Sequence, residues 1–263
     1  LYRPQSLELL ESRPVRVHGT LPAGLSGTSS VVPQGTSILV TRDILMTKFR
    51  VPASGDTLAV LVNHHPSKYG GGDTDWRREV ALARLKALKD SLVAAGVTKV
   101  IATGDFNDVP ENTHFPDDVT SGSPQSFTTP FINLAAPLSA RGEGTIRFDG
   151  KWQLIDMFLV TPALMGDPSL PAGKESARLE MEILHPPFLT VRDNVHSGDK
   201  PLRTYSGPRY IGGVSDHRPV ILRLGLGAGS AERESASFNG SDGGSGESNS
   251  DDDGSAKSDA NGN

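Results

Sequence analysis

Cysteine is absent from the 263-residue chain, and this absence excludes disulfide bonds, zinc–thiolate sites and thiol catalysis. Long apolar runs are absent as well, since no stretch reaches the roughly 18 consecutive apolar residues of a membrane-spanning helix. The hydrophobic content of 36% is nevertheless sufficient for one sizeable core. We therefore expect a folded domain without a membrane span.

The chain also lacks the strongly basic balance that is typical of non-specific DNA-binding proteins. Its formal net charge is −5, but residues 228–263 alone carry eight acidic and two basic side chains. This leaves 23 of the 31 acids and 24 of the 26 bases to the rest of the chain, which is nearly neutral. Charge alone is thus not expected to hold long nucleic acid tightly, whereas a small or localised phosphate substrate is compatible with this balance.

Residues 228–263 differ from the rest of the chain in composition. Gly, Ser, Asn, Asp and Glu dominate there, and Phe238 is the single aromatic residue. Such a segment buries too little apolar area to offset the entropy lost on ordering. We predict a domain over residues 1–227, followed by a disordered acidic tail over residues 228–263.

Short apolar runs rich in β-branched residues are separated by clusters of Gly, Pro and Ser, a pattern that predicts strands. One longer stretch has apolar residues at helical spacing and predicts a helix over residues 75–95, with Asp73 or Thr74 as N-cap and Gly96 at its end. Alternating strands and helices with several hairpins indicate an α/β fold with mixed sheets. The predicted strands cover residues 7–17, 36–40, 43–49, 57–62, 99–103, 146–148, 152–160, 179–184 and 219–224, and a short helical piece is predicted near residues 131–134.

Polar residues follow or interrupt four of the apolar runs. A buried strand that ends in a carboxylate, an amide or an imidazole delivers that group to the rim of a sheet, so four such strand ends predict one convergent polar site. Carboxylates, an amide and histidines together suit metal-assisted attack on a phosphate ester. The four groups are Asn63-His64, Gly104-Asp105-Phe106-Asn107, Ile155-Asp156 and Ser215-Asp216-His217.

Each of these groups also has a purely structural explanation. Asp105 and Asn107 lie in dipeptides that commonly form turns, Asp156 would be a buried aspartate satisfied by backbone amides, and His64 would be a surface loop histidine. A carboxylate among apolar neighbours is costly without a partner, which favours a functional partner for Asp156. The occurrence of all four groups in one chain favours the functional interpretation.

The ordered set Gly-Asp-Phe-Asn at 104–107, Ile-Asp at 155–156 and Ser-Asp-His at 215–217 resembles the endonuclease/exonuclease/phosphatase superfamily. Asn63-His64 resembles the strand-end histidine of its deoxyribonuclease-like branch. The resemblance covers about residues 1–224. It implies a four-layer sandwich, in which two packed mixed β-sheets are flanked by helices. It also implies a metal-dependent phosphoric ester hydrolase, and a nuclease-like activity is the one most expected.

The resemblance also implies roles for individual residues. Asp105 would position or deprotonate the attacking water, Asn107 and His217 would stabilise the phosphoryl oxygens, and Asp156 would orient His217. Mg²⁺ is the expected cation, with Mn²⁺ or Ca²⁺ as alternatives. The remaining residues implied by the resemblance are His64 as a contact to the scissile phosphate, Arg42 and Asn63 as substrate-binding residues, and Asp216, Asp105 and Asn107 as metal ligands.

The chain begins with Leu1-Tyr2-Arg3-Pro4, without Met, and we interpret it as amino-terminally incomplete. The superfamily pattern begins with a strand that ends in asparagine and with a glutamate that is the principal metal ligand. We expect both, and the carboxylate that pairs with His64, upstream of Leu1, together with the first strands of the fold. The segment by itself is therefore expected to bind Mg²⁺ poorly, and secreted and cytoplasmic locations both stay open.

Two questions stay open at the level of sequence. The second interpretation of the chain is a non-catalytic nucleic-acid or protein-binding module on the same fold. The substrate is also undetermined, since nucleic acid, a sugar phosphate, an inositol phosphate and a phospholipid head group all fit, and no oligomeric state is predicted. Expected at the substrate rim, without a ranking, are Trp152, Arg203, Tyr205 and Arg209-Tyr210, whereas Arg77 and Arg78 are expected on a solvated helix face and His65 in packing.

Overall fold

Strands form most of the regular structure in the part of the chain that the structure, a computed structural model, describes: residues 1–19, 39, 41–68, 74–112, 130–165 and 179–225. Two α-helices and two single 3-10 turns, Pro162–Leu164 and Pro187–Leu189, accompany them there. The helices are α1 (Asp75–Ala94) and α2 (Ala136–Ala140), and the strands are β1 (Glu8–Val15), β2 (Ile44–Arg50), β3 (Thr57–His64), β4 (Lys99–Asp105), β5 (Ile132–Asn133), β6 (Ile146–Phe148), β7 (Lys151–Gln153), β8 (Asp156–Val160), β9 (Glu180–Ile183), β10 (Thr190–Arg192), β11 (Asp199–Pro201), β12 (Tyr205–Ser206), β13 (Arg209–Tyr210) and β14 (Val220–Arg223).

Six of these strands make one mixed sheet in the spatial order β1-β2-β3-β4-β8-β5. β3 and β4 run parallel, and the other neighbours are antiparallel. The remaining described strands form four antiparallel pairs, β9 with β14, β6 with β7, β10 with β11, and β12 with β13. The α1 helix connects β3 to β4, as a parallel crossover requires.

Alternate residues of the six-stranded sheet belong to two core clusters, because they point to opposite faces. In the first, Leu61 of β3 and Ala102 of β4 pack with Leu85 of α1. In the second, Ile101 of β4 lies with Val160 and with Leu222 of β14. The β9–β14 pair contributes to both clusters, and helix, mixed sheet and this pair together confirm the predicted α/β fold with more than one sheet.

Most predicted elements are present with boundaries shifted by at most two residues, but the predicted strand over 152–160 is interrupted at residues 154–155 and forms the two strands β7 and β8. α1 ends near Gly96, whose positive φ of 85° lets the Val97 amide donate to the Leu92 carbonyl at 2.9 Å. Thr74 is its N-cap residue but makes no side-chain cap hydrogen bond. The predicted helical piece near residues 131–134 is wrong, because Ile132 pairs with Val160 in β5 and the helix follows at α2.

Some predictions fall on residues outside the described ranges. Of the predicted strand over 36–40, Leu39 alone is described, and the whole of the predicted tail over 228–263 lies outside them. The domain boundary after residue 227 stays a prediction. Among the described residues, no helix is both long and apolar enough to span a membrane.

Candidate functional site at the end of the six-stranded sheet

Three polar side chains lie side by side where β3 and β4 end and β8 begins. The parallel register pairs His64 with Asp105, and the antiparallel register pairs Asp105 with Asp156. Residues that are paired in register point to the same face of a sheet, so the three side chains share one face. The loop before β14 brings His217 to this group.

His217 and Asp156 are in direct contact. The Nδ1 atom of the His217 ring lies 2.7 Å from Oδ2 of Asp156, and both side chains are mostly buried. Asp105 completes a group in which one ligand atom from each of Asp105, Asp156 and His217 lies within 4.8 Å of the others. The structure thus brings together an imidazole and two carboxylates that are far apart in the chain.

This arrangement shifts the pKa of both His217 and Asp105 upwards. The hydrogen bond to Asp156 raises the pKa of His217 against the opposing effect of burial. Burial raises the pKa of Asp105, and repulsion from Asp156 adds to it, while a hydrogen bond from the Asn107 backbone counteracts the shift. Excess negative charge around Asp105 is what a bound cation or an adjacent imidazolium would relieve.

His64 faces the same group from β3. Its Nε2 atom lies 3.5 Å from Oδ2 of Asp105, and 48% of its side chain is exposed. Burial lowers the pKa of His64, and the positive charge of Arg42 lowers it further. Arg42 itself is exposed, so both residues lie at the open side of the site.

Asn107 adopts a left-handed backbone conformation, with φ of 51°. Asparagine tolerates this region better than most residues. The turn lets the Asn107 backbone amide donate to Oδ1 of Asp105 at 2.7 Å, while its side-chain amide donates to the His65 carbonyl at 3.0 Å and to Oδ2 of Asp105 at 3.2 Å. Asn107 therefore holds the Asp105 carboxylate in place from two directions.

A buried ion cluster behind Asn107 was not anticipated from the sequence. The Asp108 side chain, 1% exposed, accepts from Lys68 Nζ at 2.7 Å and from Arg78 Nε at 3.3 Å, which ties the loop after β4 to α1. Thr145 is a second unanticipated residue, since its Oγ1 accepts from the backbone amides of Ile155 and Asp156 at 3.4 Å each. The position of Asp108 directly after Asn107 could have indicated that it supports the site. Nothing in the local sequence indicated such a role for Thr145.

The structure does not bring every predicted site residue to this group. Asn63 points to the opposite face from His64, is 4% exposed, and donates its amide to the Leu61 carbonyl at 2.8 Å. Asp216 lies at the surface, 3.4 Å from Arg203, although its charge still contributes to the raised pKa of His217. The prediction of a solvated face for Arg77 and Arg78 is wrong, because both are buried.

The donor set is compatible with a divalent cation. Mg²⁺ prefers carboxylate oxygens, and Asp105 and Asp156 offer such oxygens within reach of one another. Asp105 belongs both to this group and to the predicted ligand set of Asp105, Asn107 and Asp216. His217 is a poorer ligand for Mg²⁺, because this cation prefers oxygen ligands to an imidazole nitrogen.

His65 is buried behind the site, and its burial predicts that the free energy of unfolding falls at acidic pH. Its ring is 3% exposed, packs edge-on against Phe106, and neither ring nitrogen has a hydrogen-bond partner among the described residues. Burial lowers the pKa of His65 to about 3. The unfolded chain therefore binds a proton that the folded chain does not, and stability falls as the pH falls below about 6.5.

We expect this linkage to cost about 2 kcal/mol of unfolding free energy between pH 7.5 and pH 5. His65→Phe keeps the ring packing and removes the titration, so its urea denaturation curve should lose about 2 kcal/mol less over this interval. Substitution of the exposed His18 by Ala is the control and should retain the wild-type pH dependence. Equal pH dependence in wild type and His65→Phe would show that His65 is protonated in the folded state.

Residues 25–225 match the family model described as Endonuclease/Exonuclease/phosphatase family. No curated protein matches the chain. Among solved structures, the mannosyl-6-phosphatase Bt3783 of Bacteroides thetaiotaomicron is 16% identical with a TM-score of 0.51, over 86% of this chain and 69% of that one. TDP2 of D. rerio, solved with a single strand DNA product, is 12% identical with a TM-score of 0.44, over 85% and 70% of the two chains.

The human Nocturnin catalytic domain is 16% identical with a TM-score of 0.39, and the match spans 60% of this chain and about half, 49%, of that domain. At such identities a structural likeness concerns the fold alone. The family model, by contrast, spans most of the chain and includes all four polar groups at the strand ends. The chain therefore belongs to the endonuclease/exonuclease/phosphatase family.

Proposed function

We propose that this protein is a metal-dependent phosphoesterase that hydrolyses a phosphodiester or phosphomonoester bond. The observation that carries the proposal is the group formed by Asp105, Asp156 and His217, whose ligand atoms lie within 4.8 Å of one another. A partly buried imidazole held by one carboxylate, beside a second carboxylate of raised pKa, is suited to proton transfer and to charge stabilisation at one phosphate.

Each residue has a distinct part in this proposal. Asp105 takes the proton of the attacking water while the water oxygen forms its bond to phosphorus. The bond from phosphorus to the leaving oxygen breaks, and this oxygen takes up a proton from solvent. His217, whose charged form is favoured by the hydrogen bond to Asp156, and the Asn107 amide stabilise the phosphoryl oxygens, while His64 and Arg42 hold the phosphate from the open side.

The proposed cation is Mg²⁺, with Mn²⁺ and Ca²⁺ as alternatives. When bound, it supplies Lewis-acid stabilisation of negative charge on the phosphoryl oxygens. The proposed ligands are Asp105, Asn107 and Asp216. Asp105 is the best supported of them, because it belongs both to the ligand set that the family resemblance implies and to the group with Asp156 and His217.

The test is a hydrolysis screen of the protein expressed from its complete reading frame. DNA, RNA, sugar phosphates, inositol phosphates and p-nitrophenyl phosphates are incubated with Mg²⁺, Mn²⁺, Ca²⁺ or EDTA. We expect cleavage of at least one class that EDTA abolishes and that Asp105→Asn lowers by about 100-fold or more.

The matched control is Asp56→Asn, since Asp56 pairs with Lys99 at the opposite end of the strand that carries Asp105. It should retain activity. If no ester is cleaved with any cation, the phosphoesterase proposal is overturned. The alternative, a non-catalytic nucleic-acid or protein-binding module on the same fold, would then be preferred.

A further inference from the structure

A pocket of about 330 Å³ contains one of the proposed metal ligands, Asp216, but its other lining residues have no part in the chemistry proposed above. It lies among the β6–β7 turn, the β10–β11 hairpin and the loop that precedes His217. Asp216, the chain neighbour of His217, is one of its lining residues. Its volume is at the lower end of the range of roughly 300–1,000 Å³ that is usual for small-molecule sites.

The wall of this pocket is held by buried charged groups. Arg147 donates to the carbonyls of Gly150 at 3.0 Å and Asp199 at 2.7 Å, so it joins the β6–β7 turn to the β10–β11 hairpin. The Asp193 side chain, 5% exposed, accepts from Lys200 Nζ at 3.1 Å and from the Val195 amide at 3.1 Å. These donors keep the pKa of Asp193 well below its usual range, and the wall is therefore preorganised.

The same wall is attached to the loop that carries His217. The Val214 amide donates to the Leu202 carbonyl at 3.1 Å, and Thr204 Oγ1 donates to the Val214 carbonyl at 2.7 Å. A side chain at Gly213 would lie 1.9 Å from the Leu202 carbonyl oxygen, so the two segments are in direct contact. A group bound in the pocket is consequently positioned relative to His217 by a short, hydrogen-bonded path.

The pocket lining alternates positive and negative groups. Lys200 and Arg203 contribute cations with side chains 42% and 52% exposed, and Asp149 and Asp216 contribute carboxylates that are 83% and 51% exposed. A polyanion would be attracted by the cations but repelled by the carboxylates, so its net binding energy in the pocket would be small. A hydroxyl group can accept from the first and donate to the second, so a neutral group with many hydroxyls satisfies both.

The apolar part of the lining is aliphatic. Val191, Pro201 and Ile211 line the pocket, and no Phe, Tyr or Trp side chain is among its lining residues. The His196 ring also lines it, with its two nitrogens 3.3 Å from Asp193 and 3.4 Å from Asp149. Single-stranded nucleic acid is usually held by bases stacked on several aromatic side chains along a basic groove, whereas the charges of this pocket are mixed and one imidazole is its single aromatic ring. Tyr205 and Tyr210 lie nearby on the β12–β13 hairpin, but they pack against each other at 5.6 Å.

We propose that this pocket binds the alcohol part of the substrate, and that this alcohol is a hydroxyl-rich group of the size of one sugar or polyol unit. The inference rests on the proposed phosphoesterase function and narrows its substrate to sugar or polyol phosphates. Lys200 and Arg203 then act as specificity residues that donate to the ligand hydroxyls. The nuclease-like activity expected from the sequence becomes the competing outcome.

Binding is the decisive measurement, because it does not require turnover. Isothermal titration calorimetry of the protein with Mg²⁺ compares a hexose 6-phosphate, inorganic phosphate and a short single-stranded oligonucleotide. We expect the sugar phosphate to bind at least about tenfold more tightly than inorganic phosphate, which corresponds to one or two additional hydrogen bonds to charged groups. Lys200→Gln and Arg203→Gln should each reduce this preference several-fold.

The control is Arg223→Gln, because Arg223 is also an exposed arginine in a single ion pair, with Glu182 at 2.9 Å on the β9–β14 pair. It should keep the wild-type preference. Thermal melting verifies that each variant is folded, and Arg203→Gln serves as the test if loss of the Lys200–Asp193 contact unfolds the hairpin.

The two proposals fail in different ways. Equal affinity for sugar phosphate and inorganic phosphate, or tighter binding of the oligonucleotide, would overturn the sugar-phosphate inference even if a p-nitrophenyl ester is hydrolysed. If the protein clearly prefers the sugar phosphate but hydrolyses no ester, the result would support binding of a hydroxyl-rich group in the pocket and would overturn the phosphoesterase function.

Discussion

His217→Ala is expected to lower the turnover of phosphoester by about 100-fold or more. The His217 ring is held by Asp156 at 2.7 Å and would donate to a phosphoryl oxygen whose negative charge grows in the transition state. Loss of one such donor typically costs about 10²–10³ in turnover. The measurement is kcat for the best substrate of the screen, at saturating substrate and Mg²⁺.

Two companion variants make this prediction specific. Asn107→Ala should show a loss of similar order, because its amide supports the Asp105 carboxylate and is proposed to stabilise a phosphoryl oxygen. The exposed His18, substituted by Ala, is the histidine control and should retain turnover. If His217→Ala keeps kcat within about threefold of the wild type while the protein hydrolyses its substrate, His217 has no part in the chemical step.

Gly104→Ala is expected to cause the largest loss of stability among single substitutions near the site. Gly104 has a φ of 129° and is paired with Asn63, and an added Cβ would lie 1.9 Å from the Asn63 carbonyl oxygen. The substitution combines unfavourable backbone conformation with a clash against a central strand that cannot move freely. We expect a loss of about 3–5 kcal/mol of unfolding free energy, measured by urea denaturation.

Gly55→Ala separates the two contributions. Gly55 also has a positive φ, of 75°, but no atom lies within 4 Å of an added Cβ. Gly55→Ala should therefore lose unfolding free energy only through its unfavourable backbone conformation, by about 1–2 kcal/mol. Equal losses for the two variants would mean that β3 and β4 shift apart at little cost, and the site at their ends would then be less rigid than the hydrogen bonds indicate.

The sequence by itself determined the types of most elements, and it indicated the three members of the site group, Asp105, Asp156 and His217. The alternation in β3 and the helical spacing in α1 are local patterns, and local patterns specify secondary structure because they set which side chains share a face. The polar residues at strand ends could be predicted to converge because strands of one sheet end at a common rim. The absence of cysteine also excluded thiol chemistry without any structural information.

Only the tertiary structure decided which polar groups pair and which way they point. Asn63 and His64 are adjacent in the chain, yet the pleat buries the first and exposes the second to the site. Arg78 and Asp108 meet across 30 residues, and such contacts depend on packing between elements rather than on a local pattern. The pocket lined by Asp216 likewise exists because Arg147 and Asp193 join separate hairpins. Long-range contacts of this kind leave no local sequence pattern from which they could be predicted.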